Sequence, residues 1–141
     1  MIKKNILIIG AGAGIGKSLS ESFKKSNLFI TYNKAKPVNN HTFNYKLNLE
    51  NQKELCNFIE VIKTKNTIFD LVYFIAAHTP HYEEKPSNST FSGNFSQKIF
   101  NKFLKINCFA PIFIFQNLYN NNLINHNAKI IFFSSLAGSI S

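Results

Sequence analysis

One stretch constrains the fold more than any other: Ile6-Leu7-Ile8-Ile9-Gly10-Ala11-Gly12-Ala13-Gly14-Ile15-Gly16-Lys17-Ser18. An apolar run stops at alternating glycines, and a helical pattern follows. Four of the six glycines in the chain fall between positions 10 and 16. A strand that turns sharply into a helix presents unpaired backbone N–H groups at the positive end of the helix dipole, which makes a phosphate site. Glycine belongs there because a side chain would hold the backbone away from the phosphate and forbid positive φ. The competing interpretation is a tight glycine-rich turn without a ligand.

The remaining chain follows an alternating pattern. Residues 6–9 are continuously apolar, as expected of a central parallel strand buried on both faces. Residues 16–26 read as a helix, with Ile15, Leu19, Ser22 and Phe23 on one face. Residues 28–32 form a second strand. Residues 33–41, broken by Pro37 and an Asn-Asn pair, are expected to be a loop. Residues 42–47 are a third strand, and residues 51–64 a helix whose Leu55, Phe58, Ile59 and Ile62 share a face. A fourth strand covers residues 69–77, and a long loop residues 78–94. Residues 95–118 are helical around Ile99, Phe103, Ile106, Ala110 and Ile114, with a kink expected at Pro111. A fifth strand covers residues 129–133. Strands alternating with helices imply an α/β fold with a parallel, doubly wound sheet in the order 3-2-1-4-5. That order brings the glycine loop, Asn33-Lys34, Asn48-Leu49, Ala76-Ala77 and Ser134-Ser135 to one edge of the sheet.

Composition narrows the function. The length of 141 residues fits one domain or part of one. No segment approaches the ~20 apolar residues of a membrane span, and no signal peptide is expected at the N-terminus. Cys56 and Cys108 sit in helical patterns and are expected to be buried, unpaired thiols of a reducing, cytoplasmic compartment. The formal charge of +9 arises from sixteen lysines and no arginine, scattered in runs no longer than two. This predicts a solvated basic surface rather than a nucleic-acid interface. His78, His81 and His126 show no metal spacing and read as surface loop positions; no metal site is predicted. The phenylalanines between positions 95 and 115 are expected in the core rather than as a stacking platform.

Two spacings overlap in the glycine loop. Gly10-x-x-x-Gly14-x-Gly16 resembles the cofactor loop of the short-chain dehydrogenase/reductase family, with Ile9 where that family has Thr. Ala11-x-x-x-x-Gly16-Lys17-Ser18 resembles an NTPase phosphate loop, with Ala in place of its first Gly. An NTPase needs an acid near the loop to help hold Mg²⁺. The single aspartate, Asp70, opens the fourth strand, at the wrong end. Elsewhere the resemblance is to the dehydrogenases. The stretch from Asp70 to Ala77 is similar to their fourth strand, although Phe74-Ile75-Ala76-Ala77 replaces Asn-Asn-Ala-Gly. Asn48-Leu49 resembles their adenine-contacting step, Ile106-Asn107-Cys108 their helical asparagine, and Ser134-Ser135-Leu136-Ala137-Gly138 their catalytic serine.

The resemblance implies a Rossmann-like NAD(P)-binding domain over residues 1–141. It implies hydride transfer between a nicotinamide cofactor and a small carbonyl or alcohol substrate, in an oxidoreductase that can form homo-oligomers. Ser135 would orient the substrate oxygen, and Asn107 would fix a water in the proton path. Gly10, Gly14, Ile15, Gly16, Asn33, Lys34, Asn48, Leu49, Ala76 and Ala77 would hold the cofactor. No acid follows the second strand before Glu50, and Lys34 and Lys36 lie close by, so NADP is expected, with NAD the alternative. The family's tyrosine follows its serine, with a lysine four residues further on. None of the five tyrosines here lies beyond Ser135. The domain is therefore expected to be incomplete after the fifth strand, to expose an apolar edge at residues 130–133, and to be inactive alone. A non-catalytic dinucleotide-binding protein of the same fold is the second hypothesis. A P-loop protein is the third.

Overall fold

The computed structural model describes residues 3–36, 43–78 and 97–134. Ten elements follow in order. They are β1 (Asn5–Ile9), α1 (Gly14–Ser22), β2 (Asn27–Tyr32), β3 (Phe43–Lys46), α2 (Gln52–Thr64), β4 (Phe69–Phe74), α3 (Gln97–Leu104), a π-helical turn (Lys105–Phe109), α4 (Ala110–Asn120) and β5 (Ile124–Phe132). The five strands form one sheet in the order β3-β2-β1-β4-β5, and every pairing is parallel. This is the Rossmann-like, doubly wound arrangement expected from the alternation of apolar runs and helical stripes.

The sheet separates two apolar layers. Leu7 and Ile9 of β1 point to one face. There they meet Leu55, Phe58, Ile59 and Ile62 of α2 and Ala110, Ile114 and Leu118 of α4. Ile6 and Ile8 point to the other, with Leu28 and Ile30 of β2 and the half-buried Leu19 and Phe23 after them. Residues of a strand alternate in direction, so β1 is apolar throughout because both its faces are covered. The α2 stripe alone removes four large side chains from water, each worth about 1.5–3 kcal/mol.

Several boundaries differ from the sequence expectation. α1 begins two residues earlier and ends at Ser22, so Ile15 and Ser22 lie exposed rather than on the buried face. β4 stops at Phe74, and the chain leaves the ladder before Ala76-Ala77. β5 starts at Ile124, five residues early. Its first half, Asn125-His126-Asn127, is polar and exposed because an edge strand needs partners on one side only. Phe132 and Phe133 at its far end are half exposed, as the edge position required. The long helix is interrupted by the π-helical turn Lys105–Phe109, and Pro111 stands in the first turn of α4 that follows. Pro111 has no N–H for the Asn107 carbonyl four residues back, and the ladder widens just before it. The Ala110 N–H bonds the Lys105 carbonyl, a π-type step.

Both cysteines are exposed and free, not buried. Cys56 lies on α2 beside the buried stripe of Leu55, Phe58, Ile59 and Ile62, on the water-facing side; Cys108 faces outward from the π turn. The helical phenylalanines also depart from expectation. Phe113 and Phe115 pack against the core, whereas Phe100 and Phe109 are exposed, because the outer side of this helix is unusually apolar.

Candidate active site

The carboxyl ends of β1, β2 and β4 and the start of α1 converge on the glycine loop. Each glycine there answers a different constraint. Gly10 adopts φ +99° and lies on Ala76: a methyl group in its place would stand 2.6 Å from the Ala76 nitrogen. The Ile9 carbonyl accepts the N–H groups of both Ile75 and Ala76, at 3.0 and 2.9 Å, which bends the exit of β4 over the exit of β1. Gly16 presses the first turn of α1 onto the Gly10 carbonyl, where no side chain fits. Gly14, at φ +52°, has nothing within 4 Å of the position a side chain would take. It borders open space in front of the helix.

The first N–H groups of an α-helix have no partner within the helix. At α1 the residue before the helix is Ala13, extended at φ −156°, and no side chain caps the turn. The first turn also holds no acid. The amides of Gly14, Ile15 and Gly16 therefore stand at an uncapped, positively polarised helix start, with open space beside Gly14. A pyrophosphate fits that donor set and that space.

The other expected residues fall around the same edge. Asn33 and Lys34 are exposed on the turn after β2. Neither Lys34 nor Lys36 makes an ion pair among the described residues. Asn48 accepts the Glu50 N–H on its side-chain oxygen at 3.1 Å, and its own N–H is bound by Glu54 at 2.8 Å. Leu49 packs into the core, leaving Asn48 to face outward. Ala76 is half-buried and Ala77 exposed. Ser134 is exposed at the end of β5, and Ser135 lies outside the described residues.

Asn107 joins the long helix to the end of β4. Its Oδ1 accepts the His78 N–H and its Nδ2 donates to the His78 carbonyl, both at 2.8 Å. The amide thus behaves as a short stretch of strand laid against residue 78. His78 is half-buried, not the surface position expected, and its Nε2 is enclosed without a partner among the described residues. His126 is exposed, and His81 lies outside the described residues. No metal-binding group forms among the described residues.

Asp70 is far from this chemistry. It bonds the Asn5 N–H and the Asn125 side chain, both at 2.9 Å, at the opposite edge of the sheet. The single aspartate therefore stands at the wrong end of the sheet to help hold Mg²⁺ at the glycine loop. One tyrosine–lysine pair with the family's spacing, Tyr32 and Lys36, was overlooked in the sequence. It sits at the end of β2, and β1 lies between β2 and β4, beyond whose exit His78 pairs with Asn107 of the π-helical turn.

The family model for short chain dehydrogenases matches residues 4–141. The chain belongs to the short-chain dehydrogenase family. Among solved structures, it resembles a short chain dehydrogenase family protein of Francisella tularensis at 23% identity and TM-score 0.75, covering 95% of this chain and 52% of that one. A short-chain dehydrogenase/reductase of Burkholderia multivorans, with NADP bound, gives 17% identity and TM-score 0.76 over 99% of this chain and 64% of the other. A 4-hydroxyisoleucine dehydrogenase complexed with NADH and succinate gives 19% and 0.63, over 82% and 50%. The chain thus spans between half and two thirds of the length of these structures. No curated protein matches it by sequence.

Proposed function

We propose that this chain is the cofactor-binding portion of an NADP-dependent oxidoreductase that moves a hydride between NADP(H) and a small carbonyl or alcohol substrate. The observation that carries it is the uncapped start of α1, walled by Gly10, Gly14 and Gly16. The amides of Gly14, Ile15 and Gly16 would take the pyrophosphate. Gly10 and Ala76 would let the backbone lie close beneath the cofactor, and Asn48 would border the adenine. Solved neighbours carry NADP in one case and NADH in another, so the choice rests on this chain's own residues. Lys34 and Lys36 offer two cations beside the ribose position and no acid opposes a 2′-phosphate.

NADP(H) supplies the hydride chemistry when bound. The chain's part is to bind, orient and help move a proton. Reduction of a carbonyl builds charge on its oxygen, which must be protonated as it forms. Ser135 would orient that oxygen. Asn107 holds the end of β4 against the helix and would fix a water in the proton path. In this family a tyrosine that follows the serine serves as the acid, and a lysine four residues after it lowers the tyrosine's pKa. The two exposed free cysteines support a reducing, cytoplasmic setting. No helix among the described residues is long and apolar enough to cross a membrane. Phe109, Ile112 and Tyr119, exposed on one helix, support self-association.

Titration of NADPH, NADH and Mg²⁺-ATP into one sample tests the proposal. NADPH is expected to bind most tightly, and Lys34→Ala to weaken it about tenfold, the loss of one charge-assisted contact. Binding of Mg²⁺-ATP without either dinucleotide would overturn it. The second hypothesis, a non-catalytic dinucleotide-binding protein, draws on Ile9 and Phe74-Ile75, where the family's polar residues are absent. Dinucleotide binding without turnover, in protein that also contains the tyrosine and lysine, would decide for it.

A further inference from the structure

The glycine loop is held by β2 as well as β1. Thr31 is 2% exposed, and its Oγ1 accepts the Gly10 N–H at 3.1 Å. Its carbonyl accepts the Ala11 N–H at 2.7 Å. One residue further on, the loop meets the turn that leaves β2. A methyl group on Gly12 would stand 2.9 Å from the Ala35 carbonyl oxygen and 3.4 Å from Tyr32 Cβ. Ala35 lies between Lys34 and Lys36. The bare Cα of Gly12 is therefore the surface on which the lysine-bearing turn rests. A backbone carbonyl cannot swing aside as the tip of a side chain does, so a methyl there must displace the turn itself.

We propose that Gly12 is a positioning residue that sets the 33–36 turn against the pyrophosphate loop and so determines the choice between NADP and NAD. The inference rests on Lys34 and Lys36 being the partners of the 2′-phosphate. Both cofactors share the pyrophosphate, and only NADP carries the extra phosphate. A shift of the turn acts most on NADP, because the charge-assisted hydrogen bonds of Lys34 and Lys36 to the extra phosphate depend on geometry. Thr31 works on the shared part. Its hydroxyl holds Gly10, and through Gly10 the loop that both cofactors use.

The test is a set of NADPH and NADH titrations on the purified protein and its variants. Gly12→Ala is expected to lower the ratio of NADPH to NADH affinity about tenfold, the size of one lost charge-assisted contact. Thr31→Val is expected to weaken both by the same factor, and Thr31→Ser to restore both. In a Lys34→Ala, Lys36→Ala background the ratio is already low, and adding Gly12→Ala leaves it there. A Gly12→Ala protein whose ratio stays at the starting value overturns the inference. So does a drop of equal size with and without the lysines. Should Gly12→Ala fail to fold, Ala35→Gly loosens the turn without inserting an atom. It is expected to move the ratio the same way, and an unchanged ratio overturns the inference equally. A ratio indifferent to the two lysines defeats the cofactor assignment itself, whereas one that depends on them but not on Gly12 defeats only the present inference.

Discussion

Two helices start at the same edge of the sheet, and their first turns are built in opposite ways. α2 follows β3 and begins at Asn51. The Asn51 Oδ1 accepts the N–H groups of Lys53 and Glu54 at 3.1 and 3.3 Å. Glu54 reaches back to accept the Asn48 N–H at 2.8 Å and also meets the Asn51 side chain at 3.2 Å. This arrangement is a variant of the capping box, in which the Glu54 carboxylate takes the Asn48 N–H and the Asn51 N–H goes to the Asn48 carbonyl. α1 follows β1 and begins at Ala13, which has no polar side chain; no acid stands in its first turn. The cost of leaving a helix uncapped is about 0.5–2 kcal/mol, and α2 shows that this chain has the means to avoid it. The difference supports the proposed pyrophosphate site at the start of α1. Polar side chains close the helix that only supports the core. They are withheld from the helix whose amides face open space beside Gly14.

The comparison breaks most completely if the loop itself is rebuilt. Gly10→Ala forces a side chain into φ +99° and against the Ala76 backbone. The conformational strain alone is about 1–3 kcal/mol. Thermal unfolding should show a loss of about 3 kcal/mol once the contact with Ala76 is included. NADPH titration should show at least about a hundredfold weaker binding, the scale of a misplaced pyrophosphate loop. Unchanged affinity would mean that the loop is a turn and nothing more.

A gentler change turns α1 into a copy of α2. Ala13 is exposed and already extended, the conformation of an N-cap residue. Ala13→Asp should therefore cap α1 and raise stability by about 1 kcal/mol. The new carboxylate would occupy the same amides as a pyrophosphate and repel it, so NADPH affinity should fall about thirtyfold. Opposite signs in the two measurements are the signature. A protein that gains stability and keeps its affinity would place the phosphate elsewhere.

How much of this was legible in the sequence depends on the range of the forces involved. β1 and α2 were legible because burial on two faces or one leaves its own period in the residues. The strand order followed from the alternation of those periods. The start of α1 was not, because glycine carries no periodicity and the helix begins inside the glycine run. The first half of β5 was not legible, since Asn125, His126 and Asn127 are polar and exposed on an edge and leave no strand period in the sequence. The cysteines were misjudged because an apolar side chain beside a buried stripe looks the same whichever way the helix is rotated by one residue. At the site, the glycine loop was evident from spacing, and Asn107 only from resemblance. Its bonds to residue 78 cross 29 positions of chain. Thr31 and Gly12 were invisible as functional positions, because what matters about them is the neighbouring strand and the turn that follows it.

The smallest effect concerns the closed helix. Asn51→Ala removes the acceptor for two amides of α2, and stability should fall by about 1 kcal/mol. For a domain of this size that is a drop of roughly 3–5 °C in melting temperature. The helix should persist, because Leu55, Phe58, Ile59 and Ile62 remain buried against the sheet. NADPH affinity should not follow the loss. The decisive form of the measurement combines the two helix starts. α1 and α2 pack on opposite faces of the sheet, so the effects of Ala13→Asp and Asn51→Ala should add. The double variant should melt near the unsubstituted protein while its cofactor affinity stays low. Equal stability with unequal binding would show that the two caps are interchangeable as structure and not as function. If affinity instead recovered with stability, the open start of α1 would be a weakness of the fold rather than a site.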